Sequence, residues 1–246
     1  EYLDYDEVWD KYKDMMKWLA GVYVNALNII HYMHDKYCYE KLEMALHDKN
    51  VRRWFATGIA GFSVVADSLS AIKYAKVKPI RDENGVTVDF EIEGDFPKYG
   101  NDDDYVDEIA IKMANWYYQE IHQYKDVFGS PFNTAFMGIS NYIPMGRVLA
   151  ATPCGRKNGE PSSEGVSPYV GSDKSTPLAA MRSAAKVNQE IHSGGTLLNL
   201  RLNHELVATR RGQANLGAMI QAFFALGAFH VQFNTLSSEV LRRAQE

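Results

Sequence analysis

Apolar residues recur at three- and four-residue spacing from Asp6 to about Tyr37. Val8, Trp9, Tyr12, Met15, Met16, Leu19, Val22, Tyr23, Ala26, Leu27 and Ile30 gather on one face and predict a long helix. Gly21 interrupts it at about 1 kcal/mol relative to Ala, so tight local packing is expected there. The stretch Tyr39 to His47 reads as the helix that covers this face. A further helix is predicted near Phe62 to Ala75, opened by Gly61 or Ser63.

The period then changes. Val77 to Ile80 and Val86 to Ile92 are strand-like, and Asp82-Glu83-Asn84-Gly85 between them is a hairpin signal because Asn and Gly tolerate positive φ. Val86, Val88, Phe90 and Ile92 alternate with Thr87, Asp89, Glu91 and Glu93, the pattern of a strand with one face in water. Asn101 to Asp104 form an acidic start for a helix reaching about Tyr124, where carboxylates meet the positive end of the helix dipole. Phe128 to Leu178, rich in Gly, Pro and Ser, predicts long loops with one short strand near Phe136 to Ile139. Thr196 to Leu202 as strand, Gln213 to Leu226 as helix and Phe229 to Leu236 as strand suggest a parallel βαβ unit. The chain thus divides into a mainly helical 1–75, a surface hairpin at 76–93, and an α/β remainder at 94–246.

Composition narrows the classes. The net charge of −5 is spread over both signs, and no basic block exists for phosphate, so nucleic acid is not an expected partner. Two cysteines, Cys38 and Cys154, are too few for a disulfide framework and fit no zinc spacing. No long uncharged apolar run predicts a membrane span, and a reducing cytoplasm is the expected compartment. The chain opens at Glu1 without Met and ends at LRRAQE with a helical pattern still running, which predicts a piece of a longer protein.

The run FATGIAGFSVVADSLSAIKYAKVKPIRDENGVTVDFEIEGDFPKYGNDDDYVDEIA, Phe55 to Ala110, resembles the pyruvate formate-lyase family of glycyl radical enzymes, as does NIIHYMHDKYCYEKLEMALHD before it. From about Ala150 the chain is more similar to the wider superfamily of dehydratases, decarboxylases and lyases. ATPCGRKNGEPSSEGVSPYVGSDKSTPLAA corresponds to T-P-D-G-R-x-x-G-E-P with its S-P-x-x-G-x-D continuation, and GTLLNLRL and HVQFNTLSSEVLRRAQE to the last barrel strands.

The resemblance implies part, mostly the second half, of a ten-stranded α/β barrel with surrounding helices, residues 94–246 forming a half-barrel with long loops. It also implies a glycine radical, installed by an iron–sulfur, S-adenosylmethionine-dependent activating enzyme and passed to a cysteine that attacks a small-molecule substrate. Neither the cysteine loop nor the R-V-[SA]-G-Y loop occurs here, so no catalytic residue and no directly bound cofactor is assigned. The implied activity is a formate C-acetyltransferase-like carbon–carbon cleavage of a 2-keto acid with coenzyme A, by a full-length homodimer. Another glycyl radical lyase, dehydratase or decarboxylase is the alternative, as is an inert fragment or assembly partner.

Asn199, Arg201, Gln232 and Asn234 alternate with apolar residues in the last two strands. In a barrel one face of each strand points inward, so these four are candidate cavity-lining residues. Polar contacts between strand and helix are the competing account; the resemblance would have them orient substrate or hold the glycine loop. Cys38 reads as a small buried hydrophobe. Cys154 stands where the family usually has Asp, and an exposed thiol beside Arg156 would have a lowered pKa, although a neutral loop substitution is the plainer reading. His31, His34 and Asp35 share a helix face without further ligands, Asp102 to Asp104 lack the spacing of a calcium loop, and no metal is assigned. Gly194-Gly195 predicts a tight turn.

Overall fold

The computed structural model describes residues 1–37, 54–138 and 140–245. Helix α1 (Tyr5–Lys36) starts where the Asp4 carboxylate accepts the Glu7 amide at 2.9 Å, satisfying one of the amides a helix start leaves unpaired. Trp9, Ala20 and Val24 are buried, with Val8, Tyr12, Met16 and Leu27 packed alongside. Met15, Leu19, Val22 and Ile30, expected on that face, are exposed. The covered stripe is a narrower ladder of residues about four apart, because among the described residues the helices packed on α1 are Phe62–Tyr74 and Asp104–His122. A methyl group at Gly21 would meet only the Tyr124 hydroxyl at 3.5 Å, an ordinary contact, so tight packing does not account for that glycine. The expected helix over Tyr39 to His47, with Cys38, lies outside the described residues.

Two parallel strand pairs form the centre. β1 (Phe55–Gly58) pairs with β4 (Phe132–Ala135), and β5 (Leu198–Arg201) pairs with β6 (Val231–Asn234). A parallel bridge between Phe136 and Thr196 joins them, with the Phe136 amide donating to Gly195 O at 2.6 Å and the Leu197 amide to Phe136 O at 2.9 Å. The four strands therefore form one arc in the order β1, β4, β5, β6. The strand expected at Phe136 to Ile139 begins four residues earlier, because the backbone leaves the arc just after Phe136 has bridged. β1 was not anticipated: four residues ending in Gly carry too little alternation to announce a strand. The Gly194-Gly195 turn delivers the chain into β5, with the Gly195 amide donating to His192 O at 3.0 Å.

Helices α2 (Phe62–Tyr74), α3 (Asp104–His122), α5 (Pro177–Lys186) and α7 (Arg210–Ala225) pack with α1 on the convex side of the arc. α4 (Tyr142–Arg147) interrupts the segment where only long loops and one short strand were expected, and α6 (His204–Val207) and α8 (Ser238–Arg243) follow β5 and β6. The hairpin is β2 (Lys76–Arg81) with β3 (Thr87–Glu93), antiparallel, its turn closed by the Asp82 carboxylate accepting the Asn84 and Val86 amides at 2.9 Å. The main core lies between arc and helices: Phe62, Tyr99, Ile109, Met113, Phe136, Met181, Leu198, Leu200 and Phe223 are all buried in it.

The acidic start of α3 has divided roles. Asp103 caps the helix by accepting the Tyr105 amide at 3.0 Å. Asp102, Asp104 and Asp107 converge on Lys186 Nζ of α5 at 2.9, 2.7 and 2.7 Å. Burial works against the Lys186 charge, but the three carboxylates outweigh it and raise its pKa. The clamp ties α5 to α3.

Two buried titratable groups oppose each other. Asp67 accepts the Tyr99 amide at 2.7 Å, and burial raises its pKa from 3.8 to about 7. His192 is fully buried with Nδ1 2.5 Å from Thr134 Oγ1, and burial lowers its pKa from 6.5 to about 4. A raised carboxyl pKa favours folding below pH 3.8, and that gain is lost as pH rises towards 7. A lowered histidine pKa favours folding above pH 6.5, and that gain is lost as pH falls towards 4. Between pH 4 and 6.5 the two slopes oppose. Asp67→Asn removes one of them, so its stability is expected to climb with pH across this window more steeply than the wild type's, by on the order of 2 kcal/mol. Urea denaturation at a series of pH values checks this; parallel profiles would contradict it.

Candidate functional site

Strand alternation separates two chemistries in the arc. Leu198 and Leu200 of β5 are buried towards the helices, with Val231 and Phe233 opposite them on β6 packed into the same core. The residues between them face the other way. Asn199 is paired with Gln232 and Arg201 with Asn234, so the four expected candidates lie together on the concave face. Asn199 is half-buried, and the other three are exposed. On β1 and β4 the corresponding positions carry Ala56, Gly58, Asn133 and Ala135, and the Gly194 turn packs directly against Ala56 and Ala135.

Beyond the ends of β5 and β6 a cleft of ≈ 790 Å³ opens, lined in part by Arg201, Asn203, His204, Asn234, Ser237 and Glu239. Because both strands run the same way, Arg201 and Asn234 reach its floor together. This is the carboxyl-end position at which α/β barrels place their chemistry.

The structure adds a residue that the pattern of the chain did not reveal. The segment Glu164 to Ser167 lies along β5: the Val166 amide donates to Leu197 O at 3.0 Å, and the Asn199 amide donates to Ser167 Oγ at 2.9 Å. This places the Glu164 carboxylate over the concave face, beside the Asn199 side-chain amide. A Cβ at Gly138 would overlap Leu197 and sit 3.2 Å from both Asn199 Nδ2 and Glu164 Oε2, so the three side chains converge there. Burial raises the Glu164 pKa, while Asn199 and the positive charge of Arg201 pull it back in part. In the sequence Glu164 is one acid in a Ser- and Gly-rich loop, and only the folding of that loop against β5 distinguishes it.

The T-P-C-G-R segment has a structural part. Arg156 is 1% exposed and donates to the carbonyls of Lys157 at 3.1 Å, Glu160 at 2.7 Å and Ala150. Cys154, considered as an exposed thiol, is buried with Sγ 3.2 Å from Thr152 Oγ1. Lys157 reaches Asp89 of β3 at 2.7 Å and fastens the loop to the hairpin. His31 lies 3.9 Å from Asp126 and edge-on to Phe55, 4.6 Å between ring centres. Among the described residues no group of three or more His, Cys, Asp or Glu side chains is arranged to hold a metal ion. No helix among them is long and apolar enough to cross a membrane.

A partial α/β barrel with a polar concave face is the class that fold and site define. Comparison with known proteins agrees. Residues 1–146 match the family described as pyruvate formate lyase-like, and residues 162–246 match the one described as glycine radical. The chain belongs to the pyruvate formate lyase-like family of glycyl radical enzymes. It is 40% identical over 260 aligned residues to formate acetyltransferase 1 of Escherichia coli K12, covering 100% of this chain and 33% of that protein. It superposes with TM-score 0.80 on the hydroxyproline dehydratase of Clostridioides difficile, at 28% identity, over 98% of this chain and 34% of the other. The B12-independent glycerol dehydratase of Clostridium butyricum gives 0.80 at 29% identity, again over 98% and 34%. The chain thus spans about a third of the length of these relatives.

Gly165 is the hinge of the Glu164 segment. Its φ is +51°, and a Cβ there would overlap the Leu197 carbonyl oxygen, an atom that cannot turn aside. Gly165→Ala is expected to destabilise the fold by about 2–4 kcal/mol and to speed hydrogen exchange at the Val166 amide. Thermal melts and exchange measurements test this, and a neutral substitution would contradict the close apposition of loop and strand.

Proposed function

We propose that this chain forms part of the barrel of an anaerobic glycyl radical enzyme, and that the complete protein is a carbon–carbon lyase of the formate acetyltransferase kind. The substrate on this reading is a 2-keto acid, with coenzyme A as acyl acceptor and formate as second product. The observation that carries it is the 40% identity to formate acetyltransferase 1 across the whole chain, against 28–29% for the two dehydratases. A glycine radical, placed by an iron–sulfur, S-adenosylmethionine-dependent activating partner, would supply the hydrogen-abstracting chemistry. The R-V-[SA]-G-Y pattern does not occur in these 246 residues, so no residue of this chain is assigned as its carrier.

On this reading the concave residues do positioning work. Arg201 supplies a fixed positive charge, while Asn199, Gln232 and Asn234 supply amide donors and acceptors against which a polar substrate is oriented. The helix-side core behind β5 holds these side chains in place and keeps water from that side of the strand. A dehydratase is the second reading. It is favoured by the superpositions above and by Glu164, whose acidic group beside Asn199 suits a hydroxyl.

Anaerobic activation of the complete enzyme separates the two. With pyruvate and coenzyme A, formate and acetyl-CoA are expected, and Arg201→Met is expected to raise the pyruvate KM by about tenfold, the loss of one charge-assisted hydrogen bond to the keto oxygen. Dehydration of glycerol or propane-1,2-diol without formate production would favour the second reading instead.

A further inference from the structure

We propose that Glu164 is a specificity-determining residue: it keeps a substrate carboxylate away from the β5 edge of the concave face and accepts a hydroxyl there. The inference rests on the concave face being the substrate-facing side, and it holds for either reaction class above.

The geometry carries it. Glu164 comes from the loop between α4 and α5 and is laid against β5 by the Val166 and Asn199 backbone amides. Its Oε2 and Asn199 Nδ2 approach the same point beside Gly138. The Asn199 amide nitrogen is thus directed at Glu164, and its Oδ1 is buried without a protein partner. Arg201, two residues along the same face of β5, is close enough to act on Glu164 through its charge. It forms no ion pair with Glu164 among the described residues, and no ion pair of its own there.

A second carboxylate arriving at this edge would meet the negative charge of Glu164 before the positive charge of Arg201 was free to bind it. In a half-buried setting like-charge repulsion is screened less than in water. An uncharged hydroxyl meets no such repulsion: it can donate to Glu164 and accept from Asn199. A 2-keto acid would therefore lie with its carboxylate turned away from β5. Removing the Glu164 charge while keeping its shape leaves Arg201 unopposed and inverts the preference.

Calorimetric titration of the complete, non-activated enzyme with pyruvate and with propane-1,2-diol tests this without depending on radical chemistry. Glu164→Gln is expected to tighten pyruvate binding by about tenfold, the factor that ~1.4 kcal/mol of charge interaction represents, with little change for the diol. Glu164→Asp keeps the charge and is expected to keep the wild-type preference, which guards against an effect of misfolding. Equal changes for both ligands, no change for either, or no binding of either to the wild type would overturn the proposal. As a second readout, ¹³C titration of the Glu164 carboxyl should show its pKa rising further in Arg201→Met; an unchanged value would overturn the coupling. Electron paramagnetic resonance after activation is judged separately, since a missing glycyl signal would count against the radical reading and leave the binding ratio intact.

Discussion

The backbone bridge between Phe136 and Thr196 is the constraint on which this structure depends. Each parallel pair contains only four residues per strand, too few to stand alone. The hydrogen bonds of the bridge, Phe136 to Gly195 and Phe136 to Leu197, join them into an arc with a helix side and an open side. Leu197 O then accepts the Val166 amide, so the bridge also fixes where the Glu164 loop crosses. Once the register at Thr196 is set, alternation decides the remainder. Leu198 and Leu200 must face the helices, and Asn199 and Arg201 must face away.

Charged side chains engaged by the protein itself hold the surrounding segments in register. Arg156 gathers three carbonyls of its own loop, and Lys186 gathers the carboxylates of Asp104 and Asp107 on α3 and of Asp102 just before it. Neither constellation has the makings of a catalytic site, because its charges are engaged by the protein itself. Glu164 and Arg201 differ: they lie near each other on an open face, and their charges are not used up in holding the fold.

Long periodic elements were legible in the chain, as were the alternating strands β5 and β6 with α7 between them, whereas β1 was not. Tyr5–Lys36, Phe62–Tyr74 and Asp104–His122 follow from apolar spacing and helix-start signals, and the β2–β3 hairpin follows from alternation around Asn84-Gly85. β1 is a four-residue strand whose identity comes from pairing with β4 across more than 70 residues, information that no local window holds, and the same pairing sets the start of β4, which the chain placed four residues late. Which face of α1 would be buried also depended on its neighbours. The alternation around Asn199 and Gln232 was visible because it is local, whereas Glu164 became visible only once its loop lay against β5. Cys154 beside Arg156 suggested a reactive thiol, but the guanidinium is spent on carbonyls and the sulfur is buried.

Family membership and geometry converge on one account: a section of a radical-enzyme barrel whose concave face is polar at β5 and β6 and whose convex face is sealed by helices. Its central claim is the division of those two strands into an open polar face and a buried apolar one. The most direct test places single cysteines at positions 199, 200, 201, 232, 233 and 234, after Cys38 and Cys154 have been replaced by alanine, and measures their alkylation rates in the folded protein. Fast reaction at 201, 232 and 234, intermediate reaction at 199 and protection at 200 and 233 is the predicted result. Rates that fail to alternate along the two strands would contradict it.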